Sequence, residues 1–354
     1  MKKNTVKESK AKPKAPSAND VAALAGVSRT QVSYVLSGTG ATHVSNEKRE
    51  RILEAVRELG YRPHQSAQSL RQGFSKEFCI FFPAPYPPGI DAILGTIHEV
   101  GLARDCVVTQ YSWNGYRNPS RMKETFEIML ARQPMGIFCS LLDLERSDIE
   151  LARSRGIERI LVLDVERHDD LVSFYQPVEE VGQLAASYLA GLGHRRIAVL
   201  KPADPVQKRP FRLRLRGMKK AIAKSAGVEL SVLEWPLDSI RPTLAAARVF
   251  AGTLPRGRDG PTAIYAYGDD YALPLLRALS ERGIHVPEDI SVLGADDLSI
   301  AEMSTPSLST IRFDGIDLGL RAVTMINSLI TGDPLEEQFT IPPIPRVVQR
   351  ESTR

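Results

Sequence analysis

The nine residues SRTQVSYVL, at positions 28–36, have two chemically different faces when they are placed on an α-helix. At 100° per residue, the apolar side chains of Val32, Val35 and Leu36 fall on one arc. The opposite arc carries a guanidinium, two hydroxyls and a phenol, from Arg29, Thr30, Ser33 and Tyr34. These groups make directed hydrogen bonds, whereas a face that only meets solvent usually carries Glu and Lys. The second face therefore predicts a polar partner that is recognised by hydrogen bonds.

The positive charge of the chain is concentrated in its first 76 residues. These hold 14 Lys/Arg against 6 Asp/Glu, a net charge of +8, whereas the remaining 278 residues hold 32 against 36, a net charge of −4. A basic segment on a mildly acidic body predicts that only this segment contacts a polyanion. We predict a disordered basic tail over residues 1–16, which accounts for the early lysines but not for the arginines between positions 29 and 71.

Capping residues divide the next segment into short helices. Ser17 begins the first helix, with Asp20 in its first turn, and Gly26 ends it. Ser28 begins the second helix, which carries the two-faced segment. Two short helices joined by a tight turn that contains glycine are typical of a helix-turn-helix.

A third helix is predicted between Ser45, which caps it, and Gly60, which ends it. Its apolar residues at core spacing are Ile52, Leu53, Val56 and Leu59. These three helices predict a small all-α domain over residues 17–63.

The same residues resemble the headpiece of the LacI/GalR family of bacterial transcriptional regulators. The segments that carry the resemblance are DVAALAGVSRTQVSYVLSG, VSNEKRERILEAVRELGYRP and HQSAQSLR, within a match that runs from Ser17 to Arg71. The match is continuous apart from a loop around 38–42 that is about two residues longer than usual. An isolated helix-turn-helix match would be a weak signal, but a match of this length is specific.

The resemblance implies that the second helix lies in the major groove of DNA. Arg29, Thr30 and Tyr34 then occupy the positions that contact base edges, and Arg29 suits the O6 and N7 atoms of guanine. Gln31 and Ser33 are expected to contact the DNA backbone, which positions the helix without selecting sequence. His43 falls where family members often contact DNA from the loop, although a lone loop histidine is also compatible with simple exposure.

Residues 64–76 resemble the hinge of the family. A helix of about eight residues is too short to be stable alone in water. In the family this hinge folds when two copies meet in the minor groove, where a leucine from each wedges into a base step. Leu70 occupies the wedge position and Ala67 precedes it in the same DNA-contacting segment. The alternative is a linker helix whose leucine packs on the body.

The rest of the chain alternates short apolar runs with helical patterns, which favours parallel, doubly wound sheets. The resemblance implies a periplasmic-binding-protein-like body over residues 77–354 with a ligand between two α/β lobes. We place the first lobe at about 77–191 and 312–342. The second lobe then covers about 192–311 and 343–354.

Three residues of the body match the ligand-binding positions of the family. Arg214 begins the Arg-x-x-Gly pattern in RLRGMKKAIAKSAG, Asp296 follows the strand in GIHVPEDISVLGADD, and Trp235 matches an aromatic position that often stacks on the ligand. A guanidinium, a carboxylate and a ring suit a small polyhydroxylated ligand such as a sugar. Alternatives remain: a solvated arginine in the strand-like FRLRLR pattern, a turn aspartate and a core tryptophan.

The body also departs from the family pattern around the expected pocket. Gly268 stands before Asp269 where an asparagine is usual, Pro274 follows in the next helix, and Tyr175 to Pro177 replace a segment that commonly holds an aspartate. The first strand is followed by PAPYPPG, which we interpret as a loop beside the cleft rather than a polyproline recognition segment. The effector is therefore open between a sugar or its derivative, another metabolite and a protein partner.

The sequence predicts a cytoplasmic, DNA-bound regulator rather than an enzyme or an exported solute-binding protein. We find no secretory signal, no apolar run near the roughly 20 residues of a membrane span, and no phosphate-loop, nucleophile-elbow or metal-binding motif. We expect no cofactor and no metal. The three cysteines, Cys79, Cys106 and Cys139, are predicted to be buried free thiols.

The predicted assembly is a homodimer on a near-palindromic operator, because a two-fold protein requires a two-fold site. The end of the chain, RVVQRESTR, lacks the apolar heptads of a tetramerising coiled coil. The predicted function is that of a transcriptional regulator, most simply a repressor, controlled by the cleft ligand.

Overall fold

The computed structural model describes residues 16–37, 44–62, 73–83, 90–103, 106–113, 119–223, 225, 227–236, 242–255, 257–312, 315–334 and 344–354. The chain forms two compact units, Met1–Ser75 and Lys76–Arg354. Within the described residues, no helix is long and apolar enough to span a membrane.

The first unit contains three helices: α1 (Ala18–Ala25), α2 (Arg29–Ser37) and α3 (Asn46–Leu59). Ser17 caps α1 in a reciprocal capping box, in which the Asp20 carboxylate accepts a 2.7 Å hydrogen bond from the Ser17 backbone. Gly26 adopts the left-handed conformation, with φ of +65°, and this ends α1. Local signals within a few residues therefore fix the boundaries that the sequence predicted.

A small core joins the three helices. Its buried members are Val21, Ala22, Ala25, Val32, Val44, Ile52 and Ala55, with Val35, Leu36, Val56 and Leu59 packed beside them. The prediction for Leu53 is wrong, since this side chain is 38% exposed. Ile52, Ala55, Val56 and Leu59 already form the inward stripe of α3 at three- and four-residue spacing, which turns Leu53 outward.

The second unit is built from alternating strands and helices. In chain order these are β1 (Ser75–Phe81), α4 (Ile90–Ala103), β2 (Val107–Tyr111), α5 (Pro119–Ala131), β3 (Pro134–Ser140), α6 (Arg146–Ser154), β4 (Ile160–Asp164), β5 (Val172–Tyr175), α7 (Val178–Gly191), β6 (Arg196–Lys201), α8 (Lys208–Ile222), β7 (Glu229–Glu234), α9 (Leu244–Thr253), β8 (Ala263–Tyr265), α10 (Asp269–Glu281), β9 (Ser291–Leu293), α11 (Ser299–Met303), β10 (Thr310–Arg312), α12 (Gly315–Thr331) and β11 (Arg346–Val348). One-turn 3₁₀ helices precede α8 and β8, at Pro205–Gln207 and Gly257–Asp259.

The first lobe has a five-stranded sheet in the order β2-β1-β3-β4-β5, and its paired strands β1 and β2, β3 and β4, and β4 and β5 run parallel. Along β1, alternate side chains enter two different cores: Cys79 and Phe81 face one, and Phe78 and Ile80 face the other. The second of these cores includes residues of α12, so the chain returns to the first lobe near its end. Burial on both faces explains why these strands are almost continuously apolar.

The second lobe has a four-stranded parallel sheet in the order β7-β6-β8-β9. The antiparallel pair β10–β11 lies beside it, and the backbone of Val292 donates to Ser352 at 2.8 Å. The predicted two-lobed α/β body with parallel sheets is thus confirmed. The cysteine prediction is also confirmed: all three thiols are free and buried.

The predicted lobe boundary at about residue 191 stays a prediction, and the packing of the helix before it bears on where the second lobe begins. The buried residues of α7 (Val181, Ala185, Ala186 and Leu189) belong to the core of the second lobe. The sequence signal for the beginning of the second lobe is strand β6, but the preceding helix, α7, already packs in the core of this lobe.

Candidate functional site

Helix α2 is held by its own capping residues. The Gln31 side-chain oxygen accepts a 3.1 Å hydrogen bond from the Ser28 backbone, and the Ser28 hydroxyl accepts a 3.2 Å bond from the Gln31 backbone. This reciprocal pair occupies the amide oxygen of Gln31, while the amide hydrogens are donors. Gln31 therefore has a local structural role that the sequence analysis did not assign to it.

The two predicted faces of α2 are present in the structure. Val32 is fully buried, whereas Arg29 and Thr30 are exposed and Tyr34 is 37% exposed. Ser33 is half-buried at the edge of the polar face. Contact of these residues with DNA stays a prediction. The predicted contacts of His43, Ala67 and Leu70 lie outside the described residues.

Arg214 lies on α8 and is buried, with 7% of its surface exposed. Its position depends on close contact between α7 and α8, where Gly217 and Gly182 face the opposite backbone. A Cβ at Gly217 would overlap the carbonyl oxygen of Glu179, and one at Gly182 would overlap that of Arg214. The Arg-x-x-Gly pattern thus places an arginine one turn before the residue that allows the helices to touch.

The alternating FRLRLR sequence forms part of α8, not a strand. Phe211, Arg214 and Met218 are all buried, and they are separated by three and four residues. The burial of Arg214 excludes the alternative that it is a solvated arginine.

The guanidinium of Arg214 is surrounded by two tyrosines. Its Nη1 donates to the hydroxyl of Tyr265 at 3.1 Å and to the backbone oxygen of Tyr267. The guanidinium carbon also lies 4.3 Å from the centre of the Tyr267 ring, in cation–π geometry. Tyr267 has a positive φ of 70°, a conformation that costs energy and is often found at functional sites. Neither tyrosine belongs to a motif that marks it in the sequence as a site residue.

Three carboxylates gather near Arg214, at the carboxyl ends of β8 and β9. Asp269 is fully buried and accepts hydrogen bonds from Thr310 Oγ1 at 2.6 Å and from the Leu298 backbone at 2.8 Å. Asp296, at the other strand end, has a positive φ of 99°. Asp270 completes the group: a Cβ at Gly268 would lie 2.6 Å from its Oδ1 and 3.3 Å from Asp296 Oδ2. Glycine replaces the family's asparagine where these two carboxylates need the space.

The neighbours Asp296 and Asp297 have different surroundings. Asp297 accepts hydrogen bonds from Arg312 at 2.7 Å and from Arg350 at 2.8 Å, and these hold its pKa below the ordinary value although burial opposes them. Burial raises the pKa of Asp296, and the charge of Arg214 offsets this in part. Asp297 is thus neutralised within the fold, whereas the Asp296 carboxylate accepts no hydrogen bond from the described residues.

The cluster of Asp269, Asp270 and Asp296 predicts that the free energy of unfolding of the protein decreases as pH rises. Burial, followed by repulsion from Asp296, raises the pKa of Asp269 to about 8 and that of Asp270 to about 7. Unfolded aspartate titrates near pH 4, so between about pH 4 and pH 8 the folded chain holds protons that the unfolded chain has lost. The free energy of unfolding contributed by these groups therefore decreases over this range and levels off above it.

Replacing Asp296 with Asn should weaken this pH dependence, because it removes a charge that raises both pKa values. Urea unfolding at pH 5, 6, 7 and 8 measures the slope for both proteins. An identical slope in the variant would show that Asp296 does not act on its neighbours.

Trp235 is fully buried in the core of the second lobe. Its ring centre lies 5.6 Å from that of Phe250 and 5.1 Å from that of Tyr271, and its Nε1 has no hydrogen-bond partner among the described residues. This environment agrees with the core alternative. Stacking of Trp235 on an effector stays a prediction, and it requires an enclosed pocket beside the ring.

A cavity of about 540 Å³ opens between the lobes, a size typical of small-molecule sites. Its lining comes from the segments that follow β3 and β4 and from residues 205–212 at the beginning of α8. Arg214, Trp235 and Asp296 are not among its lining residues. The three carboxylates do not form a metal site either, since no cluster of metal ligands with suitable geometry occurs in the described part of the chain.

An ion pair joins the two lobes at this cavity. Arg209 of α8 contacts the buried carboxylate of Asp164, at the end of β4, and lies 3.6 Å from Glu166. His168 Nε2 lies 2.6 Å from the other oxygen of Asp164. A ligand in the cavity would therefore touch groups that connect the lobes.

Two family models match this chain. The model described as bacterial regulatory proteins, lacI family, matches residues 18–64, and the periplasmic binding protein-like domain matches residues 186–353. Similar relatives include the HTH-type transcriptional repressors PurR of Pasteurella multocida and Mannheimia succiniciproducens. Each is 28% identical to this chain, and each match covers 95% of this chain and 98% of the relative.

Solved structures of similar fold match nearly the whole chain. The lac repressor dimer bound to operator and the anti-inducer ONPF matches with a TM-score of 0.75 and 26% identity, over 96% of this chain and 99% of that one. A LacI-family regulator from Silicibacter pomeroyi, 20% identical, shares the fold with a TM-score of 0.74, over 96% and 100% of the two chains. The chain therefore contains the helix-turn-helix domain of the LacI family of bacterial regulatory proteins, followed by a periplasmic-binding-protein-like domain.

Proposed function

We propose that this chain is a transcriptional repressor that binds a near-palindromic operator as a homodimer. The observation that carries the proposal is the exposed polar face of α2, which presents Arg29, Thr30 and Tyr34 on a helix whose other face is buried. The PurR relatives, named transcriptional repressors, and the operator-bound lac repressor dimer support it. Arg29 and Thr30 contact base edges with Tyr34, while Gln31 and Ser33 contact the DNA backbone.

Selection of DNA from a random library with the purified full-length chain tests this function. The expected product is an inverted repeat, and light scattering is expected to give a dimer. Enrichment of sequences without two-fold symmetry would contradict the proposal.

A small molecule bound between the lobes controls operator affinity in this proposal. The ligand class that matches the family is a sugar or a sugar derivative, with a non-sugar metabolite or a protein partner as the alternative. The effector residues proposed in the second lobe are Arg214, Asp296 and Trp235, which lie outside the lining of the open cavity. Such a ligand changes DNA affinity only if it binds the two arrangements of the lobes unequally.

Replacing Asp296 with Ala should abolish the effector response and leave operator affinity within about threefold of the wild type. Fluorescence anisotropy with the selected operator, in the presence of a panel of mono- and disaccharides, measures both. Glu302→Ala, which removes an exposed carboxylate from α11, is the matched control and should behave as the wild type. A normal response in Asp296→Ala would exclude Asp296 from the site, and a pull-down for a protein partner would then follow.

A further inference from the structure

The interlobe cavity has an unusual distribution of charge. Three cationic residues, Lys208, Arg209 and Arg212, lie in the first two turns of α8 and line the cavity. The first turn of this helix holds no acidic residue. Cations are disfavoured at a helix N-terminus because the backbone already carries a partial positive charge there. These residues place positive charge on the second-lobe wall of the cavity, just after the 3₁₀ turn that Asp204 caps.

The cations around the cavity differ in what they already bind. Arg209 is paired with Asp164 and Glu166, and Arg146, on the opposite wall, is paired with Asp170 at 2.6 Å. The side chains of Lys208 and Arg212 are exposed to the cavity, and neither forms an ion pair with any residue that the structure describes. These two cations are thus available to a ligand.

The first-lobe wall of the cavity contributes hydrogen-bond acceptors. Asp143 and Glu145 follow β3 and line the cavity opposite the cations. Burial raises the pKa of Asp143 to about 6, although a hydrogen bond with Ser140 lowers it, and the charge of Asp204 adds to the rise. Asp143 is therefore largely ionised at neutral pH, and an ionised carboxylate is a hydrogen-bond acceptor for hydroxyl groups.

Arg214, the arginine predicted for the effector site, differs from Lys208 and Arg212 because its guanidinium already has partners within the protein. Arg214 is engaged by Tyr265 and by the ring and backbone of Tyr267, and it does not line the open cavity. A charged group that enters the cavity therefore meets Lys208 and Arg212 first.

We propose that the interlobe cavity binds a small hydroxylated anion, with its carboxylate or phosphate on Lys208 and Arg212 and its hydroxyls on Asp143 and Glu145. The anion lies beside Arg209, and it competes with Asp164 for this guanidinium. This inference deepens the proposed control by an effector and rests on it. The proposed ligand is then an acidic sugar derivative and not a neutral sugar.

Three probes that differ in charge test the proposal by isothermal titration calorimetry on the full-length protein. They are D-gluconate, D-glucose 6-phosphate and D-glucose. At least one anion should bind about tenfold or more tightly than glucose, because hydrogen bonds between charged groups are about twice as strong as neutral ones. Tighter binding of gluconate identifies a carboxylate ligand, and tighter binding of glucose 6-phosphate identifies a phosphate. Equal affinity for all three probes, including no binding of any, would overturn the proposal.

Variants locate the bound anion. Lys208→Gln and Arg212→Gln should each weaken binding of the preferred anion by about tenfold and leave the affinity for glucose unchanged. Lys219→Gln removes an exposed cation from the same helix outside the cavity, and it should bind the anion as the wild type does. Loss of affinity in Lys219→Gln equal to that in the cavity variants would show attraction to the net charge of the lobe, and the proposed site would be wrong.

Measurements of operator affinity distinguish a failure of the proposed anion site from a failure of the proposed effector function. Anion binding that depends on Lys208 and Arg212 but leaves operator affinity unchanged would retain the site and contradict the effector function. An operator response to glucose that persists in Lys208→Gln and Arg212→Gln would retain the effector function and contradict the site.

Discussion

Operator binding by an Arg29→Ala variant is expected to be about 5- to 150-fold weaker than that of the wild type, a cost on the order of 1–3 kcal/mol. Arg29 is exposed in the first turn of α2, and it forms no hydrogen bond or ion pair with the described residues. Its guanidinium is therefore available to make two hydrogen bonds to guanine. The base preference at one position of each half-site should be relaxed in the variant.

Anisotropy titrations with operator and with random DNA measure this effect at one fixed salt concentration, because phosphate contacts make both affinities salt-dependent. Thermal unfolding of the variant should match that of the wild type, since the replaced side chain forms no hydrogen bond or ion pair with the described residues of the headpiece. Equal weakening on operator and random DNA would show that Arg29 contacts only phosphate.

Replacing Gly217 with Ala is expected to destabilise the body by about 1–3 kcal/mol, the usual cost of overpacking. The added Cβ would overlap the backbone oxygen of Glu179 and lie 3.0 Å from the backbone nitrogen of Gln183. Both atoms belong to the backbone of α7, which yields only if the two helices separate. Arg214 lies one turn away on α8, so the effector response should be impaired as well.

Gly191→Ala is the matched control, because a Cβ at this position on α7 meets no atom within 4 Å. This variant should be as stable as the wild type or slightly more stable, since alanine favours helix more than glycine does. Urea unfolding of the three proteins measures the difference. A Gly217→Ala variant as stable as Gly191→Ala would show that α7 and α8 separate without cost.

The sequence determined much of the headpiece because its signals are local. Ser17, Asp20, Gly26 and Ser28 form their contacts within three or four residues along the chain, and these contacts set the ends of α1 and the start of α2. The two faces of α2 follow from helical periodicity alone. In α3 the same rule was insufficient, since choosing between Leu53 and Ala55 for the core required the packing of the neighbouring helices.

The strands of the body were recognised from continuous apolar runs, since both faces of a parallel sheet are buried. Two short strands, β5 and β11, lack a continuous apolar run of this kind. β5 has only four residues, and β11 is three residues long and carries an arginine. Their pairing with β4 and β10 comes from the position of the neighbouring strand, which a local pattern does not contain.

The environment of the candidate site was decided by the tertiary structure. The resemblance identified Arg214 and Asp296, but only the fold brings Tyr265, Tyr267 and Asp270 to them. It also buries Trp235 among aromatic rings.

The open cavity likewise depends on the tertiary structure, because its walls come from three separate segments of two lobes. Helix capping and hydrophobic periodicity depend on residues that are close together in the chain, so they can be predicted from the sequence. Burial, pKa shifts and the approach of Lys208 and Arg212 to Asp143 depend on groups that are distant in the chain, so the packing of the lobes decides them.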